Sequence, residues 1–199
     1  MRKLLTLIMV LVLCFGVVGC NNNKKTNKKN EVEKEVIIEE LSWKDDAISI
    51  AGNVIEFPVK MKKLSEIGFN NVSYEIEKLE PGRKETVVAM YGKTSCLIDV
   101  LNPCDEENEK TGTLAVEKCD VVGIRVPYIS TAGPEMREFV LPGGLNILET
   151  TIEEIIKEYG EPTEKVGDMY TWVNEDGILE ITVNTEERNM IMGFYISNQ

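Results

Sequence analysis

The chain has 199 residues, with 22 Lys and Arg against 34 Asp and Glu and a formal charge of −12. An acidic balance of this kind offers no electrostatic footprint for nucleic acid, so no nucleic-acid partner is expected. Histidine is absent. That removes the commonest general base, transition-metal ligand and partner of a catalytic Ser or Cys, and it argues against triad hydrolases, zinc enzymes and cysteine peptidases.

The N-terminus comes first. Met1 to Lys3 is short and basic, Leu4 to Val18 is almost wholly apolar, and small residues precede a cysteine. An apolar run this short, with these flanks, predicts a secretory signal rather than a transmembrane helix. Val17-Val18-Gly19-Cys20 resembles the lipobox of bacterial lipoproteins. The resemblance implies cleavage after Gly19, a diacylglycerol on the Cys20 thiol, and a chain held by lipid at the extracytoplasmic face of the cell membrane. Residues 1–19 are then the signal peptide, and loss of Arg2 and Lys3 takes the formal charge to −14.

Residues 20–40 read as the lipidated Cys20 and a tether. From Asn21 to Glu35 the sequence is NNNKKTNKKNEVEKE, with no aromatic and a single Val. It cannot bury enough surface to offset its ordering entropy, which predicts disorder. Lys24, Lys25, Lys28 and Lys29 would either hold the tether to anionic lipid or wall polymer or simply belong to a solvated spacer.

Past the tether one pattern occurs twice. Ile48 to Ile50, a turn at Ala51-Gly52-Asn53 and Val54 to Pro58 lead into a helix with Pro58 in its first turn, Met61 and Leu64 on one face and Gly68 as its stop. Strands are expected over Val72–Ile76, Thr86–Tyr91, Ser95–Leu101 and Leu114–Val126. Pro127 to Met136 is a link rich in turn residues. Glu138 to Pro142 and a Gly-Gly turn then precede a second helix. Thr151 and Glu154 have capping-box spacing, Ile152, Ile155, Ile156 and Tyr159 recur with helical period, and Gly160 and Pro162 stop it. Strands follow over Met169–Val173, Ile178–Asn184 and Met190–Ser197. Both copies end alike, Val121-Val122-Gly123-Ile124 against Ile191-Met192-Gly193-Phe194. The expected class is α+β: two tandem repeats, over 41–129 and 130–199, each a helix packed on an antiparallel meander.

The segment LETTIEEIIKEYGEPTEK, with Tyr170-Thr171-Trp172 and the hairpin beyond it, resembles the repeat of SmpA/OmlA-type envelope lipoproteins and β-lactamase inhibitor proteins. In that pattern a Thr-led helix ends at Gly-x-Pro and gives way to antiparallel strands. The likeness covers Glu138 to Ser197, and Ile48 to Val126 loosely, since Gly68-Phe69-Asn70 stands where Gly-x-Pro would be. A broad group of Gram-positive lipoproteins has a similar layout. The resemblance implies a non-enzymatic module that binds a protein partner, or serves envelope assembly, through an open sheet face rich in aromatics.

On that face Tyr170, Trp172 and Tyr195 are the candidate partner-binding residues, with core packing as the alternative for Trp172. Leu179, Ile181, Val183, Met192, Phe194 and Ile196 form the opposite, core set. Cys104 and Cys119 flank a polar loop and can oxidise in an exported protein, although strand alternation turns Cys119 away from the core. Cys96 reads as a buried thiol. Asp105, Glu106, Glu107 and Glu109 lack the order of a calcium loop, no phosphate-binding loop occurs, and no cofactor or metal is expected. A small-ligand or peptide-binding envelope lipoprotein, with its pocket between the repeats, is the second reading; an enzyme acting on wall material is the third.

Overall fold

Residues 36–73, 77–103, 112–127, 134–186 and 189–198 are described by the structure, a computed structural model. The lipobox with Gly19 and Cys20, the tether to Glu35, and Cys104 lie outside the described residues.

Two 3-10 turns, Ile38–Glu40 and Trp43–Asp45, lead into β1 (Ala47–Ile50) and β2 (Asn53–Glu56). β3 (Val59–Lys60), α1 (Met61–Glu66), β4 (Phe69–Ser73), β5 (Lys78–Leu79), β6 (Lys84–Tyr91) and β7 (Thr94–Leu101) follow. Then come β8 (Leu114–Ala115), a 3-10 turn over Val116–Lys118, and β9 (Asp120–Val126). β10 (Phe139–Leu141), β11 (Leu145–Asn146), α2 (Ile152–Tyr159), β12 (Glu164–Val166), β13 (Met169–Val173), β14 (Gly177–Asn184) and β15 (Met190–Asn198) complete the order. The fold is mixed, mainly strands in antiparallel sheets, as the α+β expectation required at that level.

The large sheet runs β12-β13-β14-β15-β9-β7-β6-β4, with β3 paired beside β9. A smaller sheet runs β11-β10-β1-β2. It joins the strand pairs that precede the two helices, through Ser49 opposite Val140 and Ile50 opposite Phe139. β5 and β8 form a separate two-stranded ladder.

Apolar side chains from the small sheet and the helices meet one face of the large sheet in a single core. Ile48, Ile50, Phe139 and Leu141 come from the small sheet, Met61 and Leu64 from α1, and Ile152 and Ile155 from α2. They join Val87, Ile98, Ile124, Leu179, Ile181, Phe194 and Ile196 of the large sheet. Phe139 packs on Phe194 with ring centroids 6.1 Å apart, and Tyr91 meets Phe139 edge-on at 5.2 Å. Each such side chain contributes about 1.5–3 kcal/mol by leaving water, against the entropy of ordering it.

The second helix forms as its sequence predicts. Thr151 Oγ1 accepts from the Glu154 amide at 3.4 Å, and Glu154 Oε2 accepts from the Thr151 amide at 2.8 Å, the reciprocal bonds of a capping box. Gly160 ends it at φ +83, where a side chain would be strained.

The first helix is shorter than expected. Pro58 lies before β3 rather than in the first helical turn, because Val59 and Lys60 pair with Val121 and Asp120 of β9. The strand expected over Leu114–Val126 is broken by the 3-10 turn at Val116–Lys118.

Two β-bulges change which residues face the core. Val100 pairs with Val121 and Asp99 with Gly123, so Val122 is an extra residue in β9. Thr182 pairs with Gly193 and Val183 with Ile191, so Met192 is an extra residue in β15. A bulge reverses strand parity beyond it. Cys119 therefore shares the core side with Val121 and is fully buried, contrary to plain alternation. Met192, expected in the core, is partly exposed, and Ile191 takes the buried place.

Candidate binding face

Residues directly opposite on neighbouring strands project to the same side of a sheet. Tyr170 is opposite Ile181 and Trp172 opposite Leu179, so both aromatics belong to the core side. Trp172 is 1% exposed; its Nε1 donates to the Gly160 carbonyl at 3.0 Å, and its ring meets Tyr159 edge-on at 6.2 Å. Tyr170 is buried, with Lys165 Nζ 4.5 Å from its ring centroid. Neither belongs to an open aromatic face. The expected trio reduces to Tyr195, which lies opposite Glu180 and Arg125 on the other side.

That side carries a continuous row across seven strands: Val88, Leu97, Arg125, Tyr195, Glu180, Thr171 and Glu164, each opposite the next. At its centre the Arg125 guanidinium lies 4.2 Å from the Tyr195 ring centroid, and Nη2 is 2.9 Å from Glu180 Oε2. The Tyr195 hydroxyl donates to Asp99 Oδ2 at 2.6 Å. Thr86 Oγ1 donates to Asp99 Oδ1 at 2.7 Å, and Lys84 Nζ stands 3.5 Å from Asp99 Oδ2. Burial first, and Asp99 second, push the Tyr195 phenol up to about 12, so it remains a proton donor at neutral pH.

Apolar side chains flank this centre. Val88, Val166 and Val173 are 37%, 57% and 43% exposed, and they supply three of the five exposed large apolar residues among those described. Register places all three on the same side as Tyr195. A cavity of about 250 Å³ opens over β15 and its neighbours β9 and β14, lined by Arg125, Pro127, Thr182, Met192, Gly193 and Tyr195 among others.

The seam between β9 and β15 depends on two glycines. A Cβ on Gly193 would stand 2.7 Å from the Pro127 carbonyl oxygen and 2.9 Å from that of Val126. A Cβ on Gly123 would stand 2.6 Å from Ser197 Cβ. The two glycines occupy matching places in the two strand endings; the close approach that requires glycine at each comes from the packing of β15 against β9.

Cys96 and Cys119 do not form part of this face. Cys119 is a free, buried thiol whose Sγ donates to the Ala115 carbonyl at 3.6 Å, and its candidate partner Cys104 lies outside the described residues. Cys96 is free and fully buried, its thiol pushed up to about 12 by burial. Among the described residues no group of three or more Cys, Asp or Glu side chains is placed to hold a metal ion. No family model, curated protein or solved structure was found to match the chain.

Proposed function

We propose that this protein is a membrane-anchored extracytoplasmic lipoprotein, lipidated at Cys20, whose folded part is a non-enzymatic module for protein binding or envelope assembly. Its open sheet face meets the partner. The carrying observation is that face: Val88, Val166 and Val173 are exposed on three different strands around Arg125 and Tyr195. The charges at its centre are paired in place, Arg125 with Glu180 and Lys84 with Asp99. Covering the centre therefore strands no lone charge, which lowers the desolvation cost that usually opposes docking.

The module is a tandem pair of repeats, each a short helix followed by a four-stranded meander, β4-β6-β7-β9 and β12-β13-β14-β15. Three correspondences support this. The bulge residues Val122 and Met192 occupy matching places, as do Gly123 and Gly193. The last strands pair with each other so that Val126 meets Phe194 and Ile124 meets Ile196, while Arg125 and Tyr195 meet between them. Exchanging the two copies leaves that register unchanged, as a local two-fold axis at Arg125 and Tyr195 demands.

The test is site-specific photo-crosslinking in cells with the full-length chain. A photoreactive residue replaces Leu97 or Thr171 on the open face, or Lys62 on the exposed side of α1 as control. One protein joined from both open-face positions, absent from the Lys62 position, and lost with Tyr195→Ala supports the reading. Equal capture from Lys62, or capture unaffected by Tyr195→Ala, contradicts it. Intact-mass analysis of membrane-extracted chain checks the anchor: a mature mass without lipid on Cys20 removes the localisation.

A further inference from the structure

We infer that the outer side of the small sheet, where the chain enters the fold at Val36 and Ile37, rests on the lipid surface and leaves the open face of the large sheet pointing away from it. The inference rests on the lipid at Cys20, and it names which side of the domain meets the bilayer. Among the described residues the exposed large apolar side chains fall in two places. Val88, Val166 and Val173 lie on the open face. Val36 and Ile37, 42% and 46% exposed, are the first two described residues.

Strand pairing puts this second group on the opposite side of the domain. In the small sheet Ile48, Ile50, Ile55, Phe139 and Leu141 turn to the core. Ser49 stands opposite both Val54 and Val140. These three therefore face outward, because successive residues of a strand project to opposite sides. Val36 and Ile37 line an open hollow with Ser49, Val54 and Val140, which sets them on that outer side. The core lies between them and the open face.

Chain length selects lipid as the occupant. Fifteen residues, Asn21 to Glu35, separate Cys20 from Val36, and even fully extended they span only about 50 Å. A domain held this close meets the bilayer at an effective concentration of about millimolar, so a contact too small to hold a free domain can orient a tethered one. Charge does not supply the contact, since Glu39 and Glu138 beside the hollow outnumber Arg137. The attraction is apolar, through Val36 and Ile37 entering the interfacial layer. It should survive high salt, which screens exposed charges.

The lipidated chain, extracted from membranes, tests this in nanodiscs of phosphatidylcholine and phosphatidylglycerol that carry a gadolinium-chelating lipid, followed by methyl NMR of Ile, Leu and Val. Signals of Val36, Ile37, Val54 and Val140 are expected to broaden several-fold more than those of Val88, Leu97 and Val173, in low and in high salt. Val36→Asp combined with Ile37→Asp alters exposed positions, so the melting temperature should hold while the broadening evens out. A photoreactive residue at Ile37 should join lipid in cells. Even broadening in the unsubstituted chain, broadening strongest on the open face, a pattern lost in high salt or unchanged in the double variant, or a protein joined from Ile37 in place of lipid overturns the contact. Intact mass of the same sample separates this inference from the anchor beneath it. With lipid on Cys20 and no preferred side, the anchor stands and the contact falls; without lipid, both fall.

Discussion

Gly193→Ala tests the seam on which the whole large sheet depends. The residue lies in a strand, and its φ is not in the left-handed region, so its backbone accepts alanine. On propensity alone the change would stabilise a strand by about 0.5–1 kcal/mol, since glycine loses more freedom on folding. The obstacle is steric. The new Cβ would stand 2.7 Å and 2.9 Å from two carbonyl oxygens of β9 and its continuation, those of Pro127 and Val126. Both are backbone atoms, so relief requires the seam itself to open, with lost contact at Val126–Phe194 and Ile124–Ile196. Overpacking of this kind costs about 1–3 kcal/mol. At about 2–4 °C per kcal/mol for a domain of this size, the melting temperature should fall by roughly 2–12 °C, with a lower urea midpoint at unchanged slope. Gly160→Ala separates the steric cost from other glycine effects: Gly160 has open space around its Cβ position but a φ of +83, so its cost would be conformational alone. A Gly193→Ala melting temperature equal to or above that of the unsubstituted chain refutes the close-approach reasoning.

The remaining predictions concern the cap, the buried aromatic and one buried carboxyl. Thr151→Ala removes the acceptor for the Glu154 amide and should lower stability by about 1 kcal/mol, read as a drop of about 2–4 °C in a thermal melt. Trp172→Ala empties a core site and removes the bond to the Gly160 carbonyl, a loss of about 3–5 kcal/mol by denaturant titration; any loss of partner crosslinking in this variant should track unfolding, whereas Tyr195→Ala should lose crosslinking while folded. Asp46, 4% exposed beside Asn198, Asp176 and Asp45, is raised above its ordinary value of 3.8, chiefly by burial and against the bond from Asn198. The folded chain thus holds that proton more tightly than the unfolded one, so the contribution of this group favours folding below pH 3.8 and is lost as pH rises through the folded value. Asp46→Asn keeps the left-handed turn at φ 46 and should be more stable than the parent at neutral pH. That advantage should vanish in acid; urea midpoints across pH 3–7 that run parallel for both chains would contradict it.

Local sequence determined what local chemistry controls. The second helix was legible from Thr151, Glu154, its apolar period and Gly160, because a cap and a stop act within a few residues. The strands β6 and β7 were legible from their apolar runs and the hairpin of β14 with β15 from alternation, and so was the likeness of the two strand endings. The tertiary structure decided everything that depends on partners distant in sequence. Val122 and Met192 became extra residues only because β7 and β14 pair as they do, and that one-residue offset moved Cys119 inward and Met192 outward. Tyr170 and Trp172 turned to the core because their register sets them opposite Ile181 and Leu179. The open face, with Arg125 and Tyr195 at its centre, exists because β9 and β15, far apart in the chain, pair with each other. Alternation along a strand has two equivalent phases; only the strand beside it selects the one that faces water.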